Sequence, residues 1–509
     1  RSLSFPSKNE MTFPLYLTPR SEQSRENFLE SSAAMYLVLA IASLRDCDAS
    51  RGFPKGVAAR INTGGFSQVY SLPMTRVSRD WTLALSLTLI AFIQRVWSLG
   101  YPKGFIFDEV YYAKNANSLL LHGVEIDASK NSAEFIVHPP VGKWLIAIGI
   151  KVFGYNEFGW RISAAIIGSL SVTLIYFTAK KLFNSEFLSI AAAFLILIDG
   201  LHLVHSRTAL LDIFLMFFIQ CAVLAIIFGN YWIAGIALGL ACGTKWSGLY
   251  FTIALAIFVL ILDWNRRRQT PTDIPIKEVI AEDLPTRFVE FGLIPLLTYL
   301  ISWTGWFLTN TGWDRKYSTN ILKSFWHYHS EILNFHAGLT EKHPYMANPW
   351  SWLIMGRPTS FYYKAPKGCG ASSCSKEVLA LGTPLLYWSL AIALVAVIGI
   401  WLINRDSVSG LLLTVIGGGY LPWFFFQKRT MFTFYVISFE PFLILVLIYL
   451  LSKYLNSAKD NFQLKRRKIF AMTIGGVYLI NFLYFMPLYY GVTIPYNSWL
   501  DHMWFSSWI

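Results

Sequence analysis

Long apolar segments alternate with short polar ones from residue 76 to the end of the chain. A helix needs about 20 mostly apolar residues to cross a bilayer, and about eleven segments approach that length. They cover residues 81–99, 160–179, 187–203, 208–228, 231–244, 248–262, 288–308, 380–403, 409–426, 431–451 and 469–487. The pattern predicts an all-α, polytopic membrane protein with about 11 transmembrane helices.

The first 75 residues form a different kind of segment, polar and rich in Ser and Arg. Their one apolar run, Ala33–Leu44, is too short to span a bilayer, and no clear signal-peptidase site follows it. Met74 lies just before two arginines and the first long apolar segment, as an initiating Met would. We therefore expect residues 1–73 to be a flexible extension or an artefact of start-site assignment.

The basic residues predict the orientation, because basic loops of membrane proteins stay in the cytoplasm. A cytoplasmic N-terminus also places four other basic clusters inside, namely Lys180-Lys181, Arg266–Arg268, Arg405 and Lys465–Lys468. The pair Lys428-Arg429 falls outside and opposes this assignment. We expect an extracytoplasmic C-terminus and two extracytoplasmic loops, 100–159 and 309–379. These divide the chain into a module over 76–308, the second loop, and a four-span region over 380–509.

Composition agrees with a membrane protein. Of the 509 residues 54% are hydrophobic and 14% are charged, whereas a soluble domain has about 25% charged residues. The net charge of +13 is compatible with a nucleic-acid partner. However, the basic residues cluster between apolar spans, as the positive-inside rule requires. We therefore expect no nucleic acid among the partners.

Two adjacent carboxylates, Asp108 and Glu109, follow the first predicted span. Asp108 is expected to cap a helix over Glu109–His122 that ends before Gly123. Capping does not account for the surrounding aromatic residues, which are Phe105, Phe107, Tyr111 and Tyr112. An acid held among rings at a membrane face is partly desolvated, which raises its pKa and suits it to accept a proton. A capped helix start and a catalytic base both remain open.

Three cations are expected at the same outer face as these carboxylates: Arg161, Arg207 and Lys245. Long basic side chains commonly extend to the membrane interface, so each of them alone has a structural explanation. Together, beside a carboxylate, they suit a phosphate group. Asp199 and Asp212 are alternative partners that would form structural ion pairs with them.

Two histidine-containing stretches are less specific. The stretch His138-Pro-Pro-Val-Gly-Lys143 predicts a rigid turn before a helix on the membrane surface, and both end residues are candidates for contact with an anion. His202 and His205 share a helix face in principle, but no third ligand has suitable spacing for a metal. Motifs of nucleotide-binding loops, serine hydrolases and zinc proteases do not stand out.

Four of the five cysteines divide into two groups. Cys221 and Cys242 lie in apolar spans and are expected to be core thiols. Cys369 and Cys374 share one polar loop, which the predicted orientation places outside the cell. A disulfide is compatible with that environment, and free thiols remain the alternative.

Five motifs occur in a fixed order: Phe107-Asp-Glu-Val-Tyr-Tyr112, His138-Pro-Pro-Val-Gly-Lys143, Trp160-Arg161, Ser206-Arg-Thr-Ala-Leu-Leu-Asp212 and Gly243-Thr-Lys-Trp-Ser-Gly-Leu249. This set resembles the protein O-mannosyltransferases, the polyprenyl-phosphate-mannose-dependent members of the GT-C class of membrane glycosyltransferases. Ser360-Phe-Tyr-Tyr363, Leu381-Gly-Thr-Pro384 and Phe434–Pro441 resemble the C-terminal four-span region of that family. The loop 309–379 is short beside that of fungal and animal members, which carry an inserted β-trefoil (MIR) module. The chain therefore resembles a bacterial, actinobacterial-type member.

The resemblance implies a GT-C fold without the β-trefoil insertion, in the cytoplasmic membrane, with the active site on the extracytoplasmic face. It implies inverting transfer of mannose from polyprenyl phosphate mannose to Ser or Thr hydroxyls of secreted polypeptides in a single displacement. The implied partners are this donor, the acceptor polypeptide, membrane lipids and, as a candidate, the protein translocon. Neither a metal nor another cofactor is expected.

The resemblance also implies roles for individual residues. Asp108 would be the general base, and Glu109 would support it or position the acceptor. Lys245, with Arg161 or Arg207, would hold the donor phosphate. Further substrate-binding candidates are Tyr112, His138, Lys143 and Asp212.

Two other functions remain alternatives. The lipid A aminoarabinose transferases share the GT-C architecture and an acidic pair in the first loop. A transporter would use Asp199, Arg207 and Asp212 as an ion relay. A relay predicts charges at the bilayer midplane, whereas these charges lie at the ends of the predicted spans.

Overall fold

The computed structural model describes residues 74–127, 129–269 and 275–509, so the expectations for residues 1–73 lie outside the described residues. Helices dominate these ranges. They are α1 (Met74–Val96), α2 (Glu109–His122), α3 (Val141–Phe153), α4 (Glu157–Phe183), α5 (Glu186–Leu197), α6 (Gly200–His205), α7 (Asp212–Ile227), α8 (Tyr231–Thr244), α9 (Gly248–Arg267), α10 (Ile276–Ser302), α11 (Thr304–Leu308), α12 (Ile321–Gly338), α13 (Pro384–Asn404), α14 (Ser407–Tyr420), α15 (Glu440–Asn456), α16 (Asn461–Tyr490) and α17 (Tyr496–Asp501).

Five short strands form two small antiparallel sheets. They are β1 (Ile126–Asp127), β2 (Ser132–Ala133), β3 (Thr359–Lys364), β4 (Cys374–Ala380) and β5 (Thr493–Pro495). β1 pairs with β2, and the second sheet has the order β3-β4-β5. The loop between β3 and β4 is closed by Cys369 and Cys374, whose Sγ atoms are bonded at 2.00 Å. β5 ties the C-terminal end of the chain to this hairpin.

Each of the eleven predicted spans contains a helix, but the helices differ in length from the apolar segments. Among the described residues, six are long and apolar enough to cross a membrane: α4, α9, α10, α13, α14 with the 3-10 turn after it, and α16. The helices α5, α7 and α8 are apolar but shorter. The structure therefore supports a multi-pass membrane protein.

Three predicted spans were wrong in detail. Residues 187–203 are broken into α5 and α6, because Asp199 caps α6 by accepting a hydrogen bond from the His202 amide at 2.9 Å. The span predicted at 288–308 begins at Ile276 in α10. The charged residues in the N-terminal part of this helix form ion pairs, for example Arg287 with Asp263 at 2.6 Å. The helix therefore begins earlier than hydropathy alone predicts.

The segment predicted to span 431–451 is the third correction. It starts with a 3-10 turn, Thr433–Ser438, and the α-helix begins only at Glu440. The turn and the residues just before it lie beside the N-terminal module rather than continuing α15 as one straight span.

The helix α7 forms the centre of the bundle. All of its residues except Leu224 are buried, and it packs against α8 and α4. A helix that is apolar on every side is stable only when neighbours cover every side. α4 fills a similar place between α1, α3 and α5. The ends of these central helices carry the polar residues discussed next.

Candidate active site

The helix α2 begins and ends where the sequence predicts, with Gly123 in the left-handed conformation (φ 75°) at its C-terminus. The prediction that Asp108 caps it was wrong. Asp108 has helical torsion angles (φ −72°, ψ −1°), and its side chain accepts no capping hydrogen bond. Instead Glu109 reaches back, and its Oε2 accepts from the Ile106 amide at 3.0 Å. The Asp108 carboxyl therefore takes no part in capping the helix.

Glu109 and Arg161 form an ion pair with 0% exposure of either side chain. Arg161 Nε donates to Glu109 Oε1 at 2.7 Å, and Nη2 donates to Oε2 at 2.8 Å. The other guanidinium hydrogens go to the carbonyls of Leu99, Pro102 and Gly104. An Arg has five N–H donors, and all five are used here. This geometry does not support Arg161 as a phosphate ligand or Glu109 as a residue that touches the acceptor.

Arg207 also binds the backbone rather than an open site. Its Nη1 donates to the carbonyls of Arg95 at 2.7 Å and Trp97 at 2.6 Å, and Nη2 donates to Ser98 at 3.3 Å. The guanidinium stacks over Tyr490, 4.4 Å from the ring centre. The two arginines predicted to hold a phosphate therefore hold the chain between the end of α1 and Asp108.

Phe107, the residue before Asp108, has a positive φ of 45°. A bulky side chain at positive φ is unfavourable and needs surrounding contacts to hold it. Its ring stacks on Phe361 of β3 at 4.6 Å and packs edge-on against three more rings, those of His343, Phe432 and Phe434. Residues of the loop 309–379 and of the C-terminal region thus fix the backbone that carries Asp108.

A cleft of about 150 Å³ opens near the ring of Tyr112, four residues after Asp108. Its cationic residues are Lys245, at the end of α8, and Arg429, in the loop before the Thr433–Ser438 turn. Most of the remaining lining is aromatic or imidazole, including Trp246, Tyr250, Trp423, His138 and His336. Cations and aromatic rings together suit the phosphate and the first part of an amphiphile.

Lys245 contacts one of its predicted acidic partners and an aromatic ring. Its Nζ donates to Asp212 Oδ1 at 2.9 Å and Oδ2 at 3.2 Å, and it lies 4.3 Å from the centre of the Tyr435 ring. Asp212 is thus a structural partner of the lysine, as one of the alternatives held. The ammonium still lines the cleft, where a third hydrogen remains for a ligand.

The two histidines of the cleft are held neutral. His336 Nε2 donates to the Val137 carbonyl at 2.8 Å, and Nδ1 lies 3.3 Å from Nη2 of Arg429, from which it accepts. Burial lowers the pKa of His336 to about 4, and burial also lowers the pKa of His138 well below its usual value. The buried Nδ1 of His138 has no hydrogen-bond partner within the described part of the chain. A ligand in the cleft would supply one.

Asp108 is within electrostatic range of this cleft. Burial raises the pKa of its carboxyl to about 6, while the positive charge of Lys245 opposes that shift and the charge of Asp212 adds to it. Tyr112 lies between Asp108 and the cleft. The charges of both Asp108 and Arg429 act on its hydroxyl, and its ring lies 6.1 Å from that of His138. The site combines a carboxylate that is easily protonated with a cationic pocket.

Other predicted residues have structural partners. Lys143 donates to Glu125 at 2.5 Å with 1% exposure, which argues against contact with substrate. His202 contacts Arg95 and Ser171 rather than a metal. No group of three or more His, Cys, Asp or Glu side chains in the described part of the chain is arranged to hold a metal ion.

Two comparisons of sequence cover nearly all of the described chain. Residues 85–334 match the family described as dolichyl-phosphate-mannose-protein mannosyltransferase, and residues 321–508 match the C-terminal four-transmembrane region of protein O-mannosyltransferases. The polyprenol-phosphate-mannose–protein mannosyltransferase of Mycolicibacterium smegmatis (strain ATCC 700084 / mc(2)155) is 34% identical over 495 residues, covering 86% of this chain and 94% of the relative. The chain belongs to this mannosyltransferase family.

Further relatives agree with this membership. The enzyme of the same name from Mycobacterium tuberculosis (strain ATCC 25618 / H37Rv) is 32% identical over 494 residues, covering 86% of this chain and 93% of the relative. The S. cerevisiae protein O-mannosyltransferase Pmt1-Pmt2 complex bound to the sugar donor has a TM-score of 0.69 at 15% identity, covering 85% of this chain and 93% of the matched chain. The resemblance predicted from the motifs is confirmed, and the mannosyltransferase is a glycosyltransferase with a GT-C fold.

Sequence reasoning missed two cleft residues of this mannosyltransferase, Arg429 and His336. A signal for Arg429 was present, because the pair Lys428-Arg429 was the one basic cluster that the orientation left outside. A cation that opposes the positive-inside rule is a candidate for function. His336 had no such signal, since it lies on an amphipathic helix among other aromatic residues.

Proposed function

We propose that this mannosyltransferase transfers mannose from polyprenyl phosphate mannose to Ser or Thr hydroxyls of secreted polypeptides. The observation that carries the proposal is the cleft lined by Lys245 and Arg429, in which the charge of Lys245 acts on Asp108 and that of Arg429 acts on Tyr112. The names of the relatives, polyprenol-phosphate-mannose–protein mannosyltransferases, support the same donor and acceptor.

The cationic end of the cleft would receive the donor phosphate. Lys245 and Arg429 would neutralise its charge, and His138 would donate from its free Nδ1. Charge-assisted hydrogen bonds of this kind are about twice as strong as neutral ones. They also become stronger as the phosphate departs and gains charge, so they lower the barrier.

Asp108 would act as the base. Its carboxylate would take the proton of the acceptor hydroxyl, whose oxygen forms a bond to the anomeric carbon as the bond from that carbon to the phosphate oxygen breaks. Attack opposite the leaving group inverts the anomeric centre. A stabilised phosphate needs no general acid, so one carboxylate suffices where an inverting glycosidase needs two. No metal takes part, and the expected absence of a cofactor stays a prediction.

The proposed orientation places this chemistry on the extracytoplasmic face of the plasma membrane. Eleven spans with a cytoplasmic N-terminus put the basic loops Arg266–Arg268 and Lys465–Lys468 inside, as the positive-inside rule favours. Lys428-Arg429 no longer opposes this assignment, because Arg429 lines the cleft. The translocon is a candidate source of the acceptor polypeptide.

Purified enzyme, labelled polyprenyl phosphate mannose and a Ser/Thr peptide test the proposal. We expect labelled peptide whose anomeric configuration is opposite to that of the donor, with the same yield in EDTA. Asp108→Asn should abolish transfer, and Asp127→Asn should not, since Asp127 lies in the same loop and is bonded only to nearby residues. Transfer to lipid A in place of peptide, or full activity of Asp108→Asn, would contradict the proposal.

A further inference from the structure

A second cavity lies away from the catalytic cleft, between α5, α15 and α16. It is a groove of about 630 Å³, and every residue that lines it is apolar or tyrosine. Small residues make it concave, notably Ala191 of α5 and Ala471, Gly475 and Gly476 of α16. None of its residues takes part in the proposed reaction.

All three helices contribute an aromatic residue to one end of the groove. Phe187 lies in the first turn of α5, Tyr454 near the end of α15, and Phe470 in the third turn of α16; all three line this end. The wall on α16 continues to Tyr478, a length of about 12 Å at about 1.5 Å per residue. One leaflet contributes about 15 Å of hydrocarbon, so the groove has the depth of a single leaflet.

The basic run Lys465–Lys468 lies at this same end. Lys468 Nζ is 5.6 Å from the centre of the Phe187 ring, which joins the run to the groove wall. Arg467 donates to Ser457 Oγ at 2.7 Å and to the Tyr454 carbonyl, and Lys465 and Arg466 are exposed. Among the described residues, no salt bridge within 4.0 Å joins these four cations to an acid. Their charge remains uncompensated at the mouth of an apolar groove.

We infer that this groove is a binding site for a diacyl phospholipid with an anionic headgroup. The acyl chains occupy the space between α5, α15 and α16, and the headgroup phosphate lies at Lys465 and Lys468. A zwitterionic lipid fills the groove equally well but gains less from the positive charge of Lys465–Lys468. The site is independent of the proposed function, because its residues neither line the catalytic cleft nor contact Asp108.

Lipid binding to the full-length enzyme tests this inference by native mass spectrometry in detergent. Dioleoylphosphatidylglycerol is titrated against dioleoylphosphatidylcholine and, separately, against a polyprenyl phosphate. We expect the phosphatidylglycerol to bind at least about tenfold more tightly than the phosphatidylcholine. Lys465→Gln with Lys468→Gln should weaken it about 30-fold, because each cation near an anionic lipid contributes about fivefold. The charge-matched control is Lys364→Gln with Lys367→Gln, on the β3–β4 hairpin, which should leave the affinity unchanged.

The groove itself is tested with glycine substitutions. A Cβ at Gly476 meets open space, so Gly476→Leu fills the groove without a clash and should reduce the number of bound phosphatidylglycerol molecules by one. Gly399→Leu on α13 makes the same change at another open position and should not. Equal affinity for the two phospholipids, an unaltered affinity in the lysine variant, or displacement of the phospholipid by the polyprenyl phosphate would overturn the inference.

Discussion

Arg161 on α4 binds Glu109 on α2 through two hydrogen bonds of 2.7 and 2.8 Å, and neither side chain is exposed. The same guanidinium binds three carbonyls of the segment before Asp108, and Glu109 Oε1 also accepts from the Ala209 amide at 3.0 Å. The neighbour of the proposed base is therefore part of a rigid joint between α2, α4 and the connection from α6 to α7.

Removal of one partner from this joint should unfold the site. Glu109→Gln leaves the Arg161 charge buried, and breaking such a pair costs about 3–5 kcal/mol. We expect a large fall in the thermal midpoint in detergent together with loss of transfer. The control is Glu186→Gln, which breaks the exposed bridge to Arg79 and should cost about 0–1 kcal/mol. An unchanged midpoint in Glu109→Gln would contradict the structural role.

The pH dependence of transfer should report Asp108. A base works only when deprotonated, and burial raises the pKa of this carboxyl to about 6. The value of kcat/KM should therefore be flat above this pH and fall about tenfold per unit below it. Lys245 lowers this pKa, so Lys245→Gln should move the acidic limb to higher pH as well as weaken the donor. An acidic limb at the same pH in Lys245→Gln as in the unmodified enzyme would show that the charge of Lys245 does not act on the pKa of Asp108.

Arg429 should matter for the donor rather than for the fold. A hydrogen bond to a charged group contributes about 1.5–3 kcal/mol, which corresponds to about 10–100-fold in KM for polyprenyl phosphate mannose. We expect that increase in Arg429→Gln, measured by initial rates at saturating peptide. Lys428→Gln changes the adjacent exposed cation and should stay within about twofold. An equal effect in both variants would indicate long-range attraction instead of contact.

Phe107 should act on turnover through the position of Asp108. In Phe107→Ala the rings of Phe361 and Phe434 lose their partner, and each such aromatic pair contributes about 0.5–1.5 kcal/mol. We expect kcat to fall about tenfold at unchanged donor KM, with rescue by Phe107→Tyr. Phe105→Ala, whose ring packs on Trp160 instead, is the control. A change in donor KM alone would argue against positioning.

The sequence predicted the helices and the family correctly, because hydropathy and ordered motifs depend on residues close together in the chain. The sequence could not show which cations form ion pairs or hydrogen bonds within the protein. Arg161 meets Glu109 across 52 positions, and Arg207 meets the Trp97 carbonyl across 110. Backbone acceptors leave no trace in the residue types. Lys245 was identified because its acidic partner and its place at a span end are both visible in the sequence.

The carbonyl contacts of Arg161 and Arg207 also affect which substitutions the enzyme tolerates. Every residue, Pro included, offers the same backbone carbonyl oxygen, so a change of side chain at the exposed Trp97 keeps the acceptor that Arg207 uses. The arginines have no such freedom, since a lysine has three donors and no planar fork. Arg161 and Arg207 are therefore expected to tolerate substitution least in this region, although their hydrogen bonds go to other parts of the protein.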